Sequence, residues 1–210
     1  MKPGRQRQGA TPLARSALPV DTAALARTLI GKLLVRELPE GVASGHIVET
    51  EAYVIGDAAG HAYGGMTPRN RSLFLERGHA YVYLAYGVSF MLNVSSEASG
   101  IGAGVLIRAL EPVEGVSIMR QNRGVERLGD LTRGPGRLAQ ALRIDRSLDG
   151  LDLCQEGPLW LAGDDQGGSE VGERKIGESV RIGISRDAER VLRFYLRGNL
   201  FVSGARSLNG

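Results

Sequence analysis

Two glutamates and a tyrosine alternate along a short apolar stretch, Ile47-Val-Glu-Thr-Glu-Ala-Tyr53. Successive side chains of an extended strand point to opposite faces, so Glu49, Glu51 and Tyr53 are predicted to share one face. Unpaired buried charge is costly, so the pattern indicates either a functional carboxylate site or a solvated face, an alternative that fits Glu49 better than Glu51. The predicted faces are Ile47, Glu49, Glu51 and Tyr53 on one side and Val48, Thr50 and Ala52 on the other.

Arg108 is the one charged residue in Gly104-Val-Leu-Ile-Arg-Ala-Leu110, a strand that is apolar on both faces and therefore predicted to be buried. A buried guanidinium needs a carboxylate or an anion, and Glu51 is the predicted partner. A carboxylate beside arginine stays ionised and can deprotonate a water that attacks an anomeric carbon. A purely structural ion pair would produce the same pattern.

Tyrosines dominate the segment Tyr81-Val-Tyr-Leu-Ala-Tyr-Gly87. Tyr86-Gly87 predicts a tight β-hairpin turn in which Gly87 has a positive φ. Tyr86 would then stand at the hairpin tip, where an exposed aromatic side chain could act as a wedge in duplex DNA. The alternative is that the tyrosines are cross-strand core partners, which suits Tyr81 better than Tyr83 or Tyr86.

An aromatic slot for a nucleobase is the second feature that these residues allow. Enzymes that act on a base extract it from the helix and hold it between aromatic faces, which Tyr53, His61 and Tyr83 could provide. Aromatic faces favour cations, so a purine that alkylation has made positive would stack better than a normal purine.

The chain has 210 residues, of which 42% are hydrophobic, enough for one sizeable core. The net charge is +3, and lysine occurs only at Lys2, Lys32 and Lys175, so nearly all positive charge is arginine. Arginine suits phosphate groups, although a GC-rich genome would give the same bias. The single cysteine, Cys154, excludes an internal disulfide, a zinc knuckle and an iron–sulfur cluster, and the three histidines lack the spacing of a zinc deaminase.

Neither a membrane-spanning apolar run nor a signal peptide is evident, so we expect a cytoplasmic, nucleoid-associated protein. Residues 1–17 predict a disordered basic arm, and residues 18–210 predict one domain. A helix is predicted over 23–30 with Asp21 as its N-cap, and others over 112–120 and 135–142. Strands are predicted over 32–38, 46–53, 80–85, 88–94, 104–110, 151–154, 159–162, 179–184 and 193–197.

Three loops stand out in the sequence. The connection 54–72 is long, glycine-rich and carries His61 and Thr67-Pro-Arg-Asn-Arg71, so a functional role is favoured. Thr132-Arg-Gly-Pro-Gly-Arg137 leads into a predicted helix and suits a phosphate, or is an ordinary helix start. The loop 163–173 is acidic and is expected to stay away from DNA.

Several motifs together resemble the alkyladenine (3-methyladenine, methylpurine) DNA glycosylase family. They occur in the family's order between about Leu29 and Ser203, and such a combination is specific. The matching segments are Ile47–Tyr53, His61, Thr67–Arg71, Tyr81–Gly87, Asn93–Ser95, Leu106–Pro112 and Gly134–Leu138.

The resemblance implies a single α+β domain with a curved, largely antiparallel sheet, flanking helices, a protruding hairpin, and no metal or cofactor. It implies a monofunctional glycosylase that removes damaged purines such as 3-methyladenine, 7-methylguanine, hypoxanthine or ethenoadenine from double-stranded DNA and leaves an abasic site. No membrane and no obligatory protein partner is implied, and we expect a monomer.

Residue roles are implied in the same way. Glu51 would be the general base, with Arg108 and a backbone carbonyl near Leu196 helping to position the water. The base pocket would comprise Tyr53, His61, Tyr83, Asn93 and Leu196, with Asn93 clashing with the guanine amine; Tyr86 would intercalate; and Thr67, Arg69, Arg71 and Arg137 would contact the DNA backbone.

Two other function classes remain open at this point. A sugar glycosidase would need carboxylates on opposite sides of the scissile bond, whereas Glu49 and Glu51 are predicted to point the same way. A non-catalytic DNA-binding module would explain Tyr86 but not Arg108 and Glu51 on inner strands.

Val88-Ser89 beside the predicted wedge departs from the bulkier residues of animal members of the family, so duplex distortion would depend more on Tyr86.

Overall fold

The computed structural model describes residues 10–163, 175–205, 207 and 209. Within these residues the chain forms one α+β domain with a curled antiparallel sheet, which confirms the predicted fold class. The helices are α1 (Thr22–Thr28), α2 (Val116–Arg123) and α3 (Pro135–Ala141), and the strands are β1 (Leu33–Leu38), β2 (Gly41–Tyr53), β3 (Ala80–Ala85), β4 (Ser89–Ser95), β5 (Gly104–Glu114), β6 (Leu159–Ala162), β7 (Ile176–Ser179) and β8 (Arg193–Leu196).

Strand β2 is the centre of the sheet, whose main order is β3-β4-β5-β2-β1-β6. One edge of β2 pairs with β5. The other edge pairs first with β1 and then, over Glu49–Glu51, with β8, which also pairs with β7. The two glutamates of β2 therefore lie between β5 and β8, and residues of both strands can reach them.

The main core lies between the sheet and the helices. Leu25 of α1, Leu29 directly after α1, Ile107 and Leu110 of β5, and Leu138 of α3 belong to one hydrophobic cluster. The predicted cap of α1 is confirmed, because the Asp21 carboxylate accepts a hydrogen bond from the amide of Ala24 at 2.7 Å. The helices thereby cover the face of the sheet that is opposite to the two glutamates.

A β-bulge changes the predicted faces of β2. Ile47 pairs with Leu110 and Glu49 with Ala109, so Val48 has no partner across the ladder. Ile47 packs in the main core, whereas Val48 belongs to a second cluster with Tyr195, Phe201 and Val202. The prediction that Ile47 shares the face of Glu49 and Glu51 is therefore wrong, and the prediction for the alternation from Glu49 to Tyr53 is confirmed.

Other boundaries differ from the predicted ones for identifiable reasons. Pro112 does not start a helix, because β5 continues to Glu114 and α2 begins only after Gly115, whose φ is +71°. Pro112 lies opposite Gly45, where a Cβ atom would come within 2.7 Å of the Glu111 carbonyl oxygen. Of residues 151–154 only Asp152 forms a bridge, with His79, and no strand is present there. Residues 180–184 are irregular, since β7 ends at Ser179.

The predicted disordered arm is wrong for residues 10–17. Pro12 forms a bridge with Ala162, and the amide of Leu13 donates to the carbonyl of Leu161 at 2.9 Å. Arg15 forms an ion pair with Asp152 at 2.6 Å. Residues 1–9 of the predicted arm and residues 164–173 of the predicted acidic loop lie outside the described part of the chain.

Candidate active site

Glu51 is fully buried, and three donors hold its carboxylate. Oε1 accepts a hydrogen bond from the amide of Ile182 at 2.7 Å and lies 3.2 Å from Nη1 of Arg108. Oε2 accepts from the hydroxyl of Tyr53 at 3.0 Å. Burial raises the pKa of Glu51, although Arg108 and the hydrogen bonds from Ile182 and Tyr53 act in the opposite direction. A raised pKa makes this carboxylate a stronger base than an exposed glutamate.

Glu49 is also fully buried, so the solvated face that the sequence left open as an alternative is wrong for this residue. Its Oε1 accepts from Nε of Arg108 at 2.8 Å and from Nε of Arg193 at 2.7 Å, and its Oε2 accepts from the amide of Ser203 at 2.6 Å. Burial alone would raise the pKa of Glu49, but Arg108 and Arg193 outweigh it and lower the pKa. The sequence predicts Glu51 alone as the partner of Arg108. In the structure Arg108 forms ion pairs with both Glu49 and Glu51.

An open cavity of about 400 Å³ lies in front of Glu51. All three partners of the carboxylate, Tyr53, Arg108 and Ile182, line this cavity. Glu51 itself lies immediately behind that wall. The cavity has the size of an ordinary small-molecule pocket.

Aromatic side chains form another part of the cavity wall. The ring of His61 meets the ring of Tyr83 edge-on at 4.4 Å between centroids, and Tyr81 stacks on Tyr83 at 5.4 Å. Nδ1 of His61 lies 2.9 Å from the hydroxyl of Tyr81. Packing against these rings lowers the pKa of His61, and the charge of Arg69 lowers it further. His61 is therefore held as a neutral ring, which does not repel a cationic base.

Buried Asn70 fixes the loop that carries His61. Its side-chain nitrogen donates to the carbonyl of His61 at 2.8 Å and to that of Gly65 at 3.0 Å. Its side-chain oxygen accepts from the amide of Thr67 at 2.7 Å. The segment Thr67–Arg71, predicted to be functional, thus contains the residue that holds the histidine at the cavity.

Tyr86 extends from the tip of the β3–β4 hairpin, at the mouth of the cavity. The side chain is 93% exposed, and Tyr86 has a φ of +51° beside Gly87 at +70°. A non-glycine residue with positive φ is strained, and a fully exposed tyrosine ring gains no packing in the free protein. Two local costs at one residue indicate that its position serves a partner molecule.

The methylpurine-DNA glycosylase family model matches residues 16–200. This chain belongs to the methylpurine-DNA glycosylase family. A Mesorhizobium japonicum protein, provisionally named 3-methyladenine DNA glycosylase, is 77% identical over 94% of this chain and 92% of its own length. A Paraburkholderia phytofirmans protein with the same provisional name is 52% identical over 94% of this chain and 90% of its own.

The similarity extends to a human relative. Human DNA-3-methyladenine glycosylase is 44% identical over 85% of this chain and 63% of its own length. The family and these names support an assignment to the DNA glycosylases, which are hydrolases of DNA repair. DNA is therefore the substrate of this glycosylase.

Two residues that the sequence did not single out complete the glycosylase site. Ile182 reaches both the cavity and Glu51, whereas Leu196 lines a different cavity together with Tyr195 and Asn199. The assignment of Leu196 to the base pocket is therefore corrected to Ile182. Arg181 is buried with its guanidinium 4.7 Å from the centroid of the Tyr53 ring.

Arg181 also connects the loop that contains Asp57 with the loop that contains Asp187. It forms an ion pair with buried Asp57, donates to the carbonyl of Ala52 at 3.0 Å, and donates to that of Asp187 at 3.2 Å. The sequence carries one signal for it, because an arginine inside the apolar run Val180–Ile184 needs a buried acceptor.

The residues expected to contact DNA phosphates lie at the protein surface. Thr67, Arg69 and Arg71 are exposed on the His61 loop, and Arg137 is exposed on α3 with an ion pair to Asp130 at 3.2 Å. Within the described part of the chain, no three His, Cys, Asp or Glu side chains cluster closely enough to hold a metal ion. No described helix is long and apolar enough to cross a bilayer.

Proposed function

We propose that this glycosylase hydrolyses the N-glycosidic bond of damaged purines in duplex DNA, with Glu51 as the general base that activates a water. The observation that carries the proposal is a fully buried carboxylate whose three partners all line an aromatic cavity. The product would be an abasic site and a free purine.

The hydrogen bonds of Glu51 leave capacity for a water. An ionised carboxylate accepts about four hydrogen bonds, and Ile182, Arg108 and Tyr53 supply three contacts. By count, the fourth acceptor position is on Oε2, whose one hydrogen bond within the described residues comes from the Tyr53 hydroxyl. A water that donates a proton there would be oriented with its oxygen towards the sugar of a base bound in the cavity.

The cavity wall suits an electron-poor purine. Tyr53, His61 and Tyr83 offer aromatic faces and edges, and a cationic alkylated purine binds such faces more strongly than a neutral purine does. Asn93 lines the same cavity, is buried, and donates to the carbonyl of Tyr81 at 3.2 Å. A fixed side chain at this position would exclude bases that carry a bulky exocyclic group.

Tyr86 would occupy the gap that an extracted base leaves. The ring is exposed, belongs to the cavity mouth, and stands on a two-residue turn of fixed geometry. Arg69 and Arg71 on the neighbouring loop would bind phosphates on either side of the lesion, so binding should weaken with added salt.

We further propose that the enzyme has no lyase activity. A lyase needs an amine that forms a Schiff base with the sugar. The described lining of the cavity contains neither Lys32 nor Lys175, and Lys2 lies outside the described residues.

The decisive experiment is single-turnover base release from duplexes that each contain 7-methylguanine, hypoxanthine, 3-methyladenine or ethenoadenine. Wild-type protein should release at least one of these bases, and Glu51→Gln should bind the same duplex while excision falls by about 10²–10⁴-fold. Glu114→Gln, at an exposed strand end, is the matched control and should excise at the wild-type rate. Normal excision by Glu51→Gln would refute the base role.

A further inference from the structure

Glu49 is a buried carboxylate that lies next to the proposed base but not at the cavity. Of its partners Arg108, Arg193 and Ser203, only Arg108 is among the described lining residues. Among these contacts, Arg108 is therefore the one that links Glu49 to the cavity wall. That geometry separates Glu49 from Glu51, whose three partners all line the cavity.

Arg108 is a planar bridge between the two carboxylates. Its Nε donates to Glu49 at 2.8 Å, its Nη1 lies 3.2 Å from Glu51, and its Nη2 donates to the Ser203 hydroxyl at 3.2 Å. Because the guanidinium is rigid, the bonds on its Nε and Nη2 edge also fix the direction of Nη1. The third irregularity of the β2–β5 ladder falls at Arg108, which has no partner on β2 in that ladder.

Charge is balanced across this cluster. When both glutamates are ionised, their two negative charges are matched by the two positive charges of Arg108 and Arg193. Arg193 is fully buried and donates its Nε to Glu49 at 2.7 Å. Both glutamates therefore attract Arg108. Because Arg193 also neutralises the charge of Glu49, the attraction between Glu49 and Arg108 is weaker than it would be without Arg193.

We propose that Glu49 is a positioning residue that, together with Arg193, sets how much of the charge of Arg108 reaches Glu51. The inference rests on the proposed role of Glu51 as the base. Without Glu49, Arg108 would neutralise Glu51 alone, and Glu51 would hold its proton less tightly. Without Arg193, Glu49 would draw Arg108 towards itself, and Glu51 would hold its proton more tightly.

These two expectations have opposite signs, which a purely structural role of the cluster would not produce. The titratable and charged groups around Glu51 are Glu49 and Tyr53 on β2, Tyr83 on β3, Arg108 on β5, Arg181 beyond Tyr53, and Arg193 on β8. Neither substitution removes a group that touches the cavity.

The test is the pH dependence of single-turnover hypoxanthine excision from duplex DNA. Excision by the wild type should fall at low pH as Glu51 becomes protonated. Glu49→Gln should move this acid limb to lower pH by about one unit, and Arg193→Met should move it to higher pH by about the same amount. Methionine fills a similar volume without a charge, so the cavity keeps its shape.

Controls keep the inference separate from the proposed function. The double variant Glu49→Gln, Arg193→Met removes one buried charge of each sign, so neither residue leaves an unpaired buried charge that would impair folding. Its acid limb should move to lower pH, as in Glu49→Gln. Limbs that do not move, or that move in the same direction in both single variants, would refute the positioning role while an inactive Glu51→Gln upheld the base. Normal excision by Glu51→Gln would refute both.

Discussion

Tyr53 donates its hydroxyl hydrogen to Oε2 of Glu51 at 3.0 Å, although the two residues stand only two positions apart on β2. The alternation of a strand brings both side chains to one face, and the Arg181 guanidinium lies over the Tyr53 ring at 4.7 Å from its centroid. One residue thus belongs both to the cavity wall and to the hydrogen bonds of the proposed base. Burial and the negative charge of Glu51 raise the pKa of Tyr53, so its hydroxyl remains a donor.

Removing only this hydroxyl should change proton affinity more than base binding. Tyr53→Phe keeps the ring and loses the hydrogen bond that lowers the pKa of Glu51, so that pKa should rise further. The acid limb of excision should move to higher pH by up to about one unit, while affinity for lesion DNA stays near the wild-type value. Single-turnover excision across pH and an equilibrium binding assay measure the two effects.

The control for Tyr53→Phe is Tyr63→Phe, on the neighbouring loop, where the side chain is exposed. Its pH profile should match the wild type. A loss of binding in Tyr53→Phe without any movement of the acid limb would show that the hydroxyl contacts the base instead of supporting Glu51.

The two buried glutamates should respond oppositely to the same isosteric change. Three of the hydrogen bonds to Glu49 come from groups that can only donate, namely Nε of Arg108, Nε of Arg193 and the amide of Ser203. The fourth comes from the Ser203 hydroxyl, which can also accept. An amide nitrogen at Glu49 would therefore face a donor. At Glu51, the Tyr53 hydroxyl can turn and accept from an amide nitrogen.

Glu49→Gln should therefore lower the free energy of unfolding at neutral pH by about 3–5 kcal/mol, the usual cost of breaking a buried ion pair. Glu51→Gln should be at least as stable as wild type, because it replaces a carboxylate whose ionised form is disfavoured by burial. Urea unfolding of both variants at neutral pH gives the comparison. A Glu51→Gln protein less stable than Glu49→Gln would contradict this account.

The pH dependence of this stability follows from the pKa directions. The pKa of Glu49 is lowered on folding, so its ionised form stabilises the protein above the ordinary glutamate value of 4.5, and this is lost as pH falls through the folded-state pKa. The pKa of Glu51 is raised, so its contribution is present below 4.5 and is lost as pH rises through its folded-state value. The stability difference between wild type and Glu49→Gln should narrow in acid.

Local features of the site could be predicted from the sequence because they depend on neighbouring residues. The alternation of Glu49, Glu51 and Tyr53 follows from strand geometry, and the hairpin that carries Tyr86 follows from its turn residues. These features need no knowledge of the rest of the chain.

Distant partners could not be predicted in the same way. Ile182 contacts Glu51 from 131 positions along the chain, and Arg193 contacts Glu49 from 144 positions. Their proximity depends on β8 pairing with the second half of β2, which periodicity does not reveal. The bulge at Val48 arises from the register with β5, so alternation alone assigned Ile47 to the wrong face.

Asn93 should determine which purines enter the cavity. Its side chain is buried, donates to the carbonyl of Tyr81, and cannot move away from a bulky base edge without losing that bond. Asn93→Ala should raise the rate for guanine relative to hypoxanthine about 10-fold, because one group in a pocket contributes about 1–3 kcal/mol of discrimination. Base release from duplexes with each base measures the ratio, and an unchanged ratio would contradict the role.

The volume-conserving Met91→Leu, on the same strand and the same cavity wall, is the control for Asn93→Ala. It should leave the ratio of guanine to hypoxanthine excision unchanged. Relaxed discrimination in both variants would indicate a general loosening of the cavity.

Tyr86 should contribute to binding of duplex lesions and not to the stability of the free protein. Its ring is 93% exposed, so Tyr86→Ala should change the free energy of unfolding by less than about 0.5 kcal/mol. Without the wedge, affinity for a hypoxanthine duplex should fall about 10-fold or more, since stacking of an aromatic side chain on a base contributes about 1–3 kcal/mol. Val88→Ala, which removes the side chain of a neighbouring residue that is 82% exposed, should weaken binding less.

In single-stranded DNA no base pair has to open, so the loss of affinity caused by Tyr86→Ala should be smaller there. An equal loss of affinity for both forms of DNA would mean that Tyr86 contacts the strand without opening the helix.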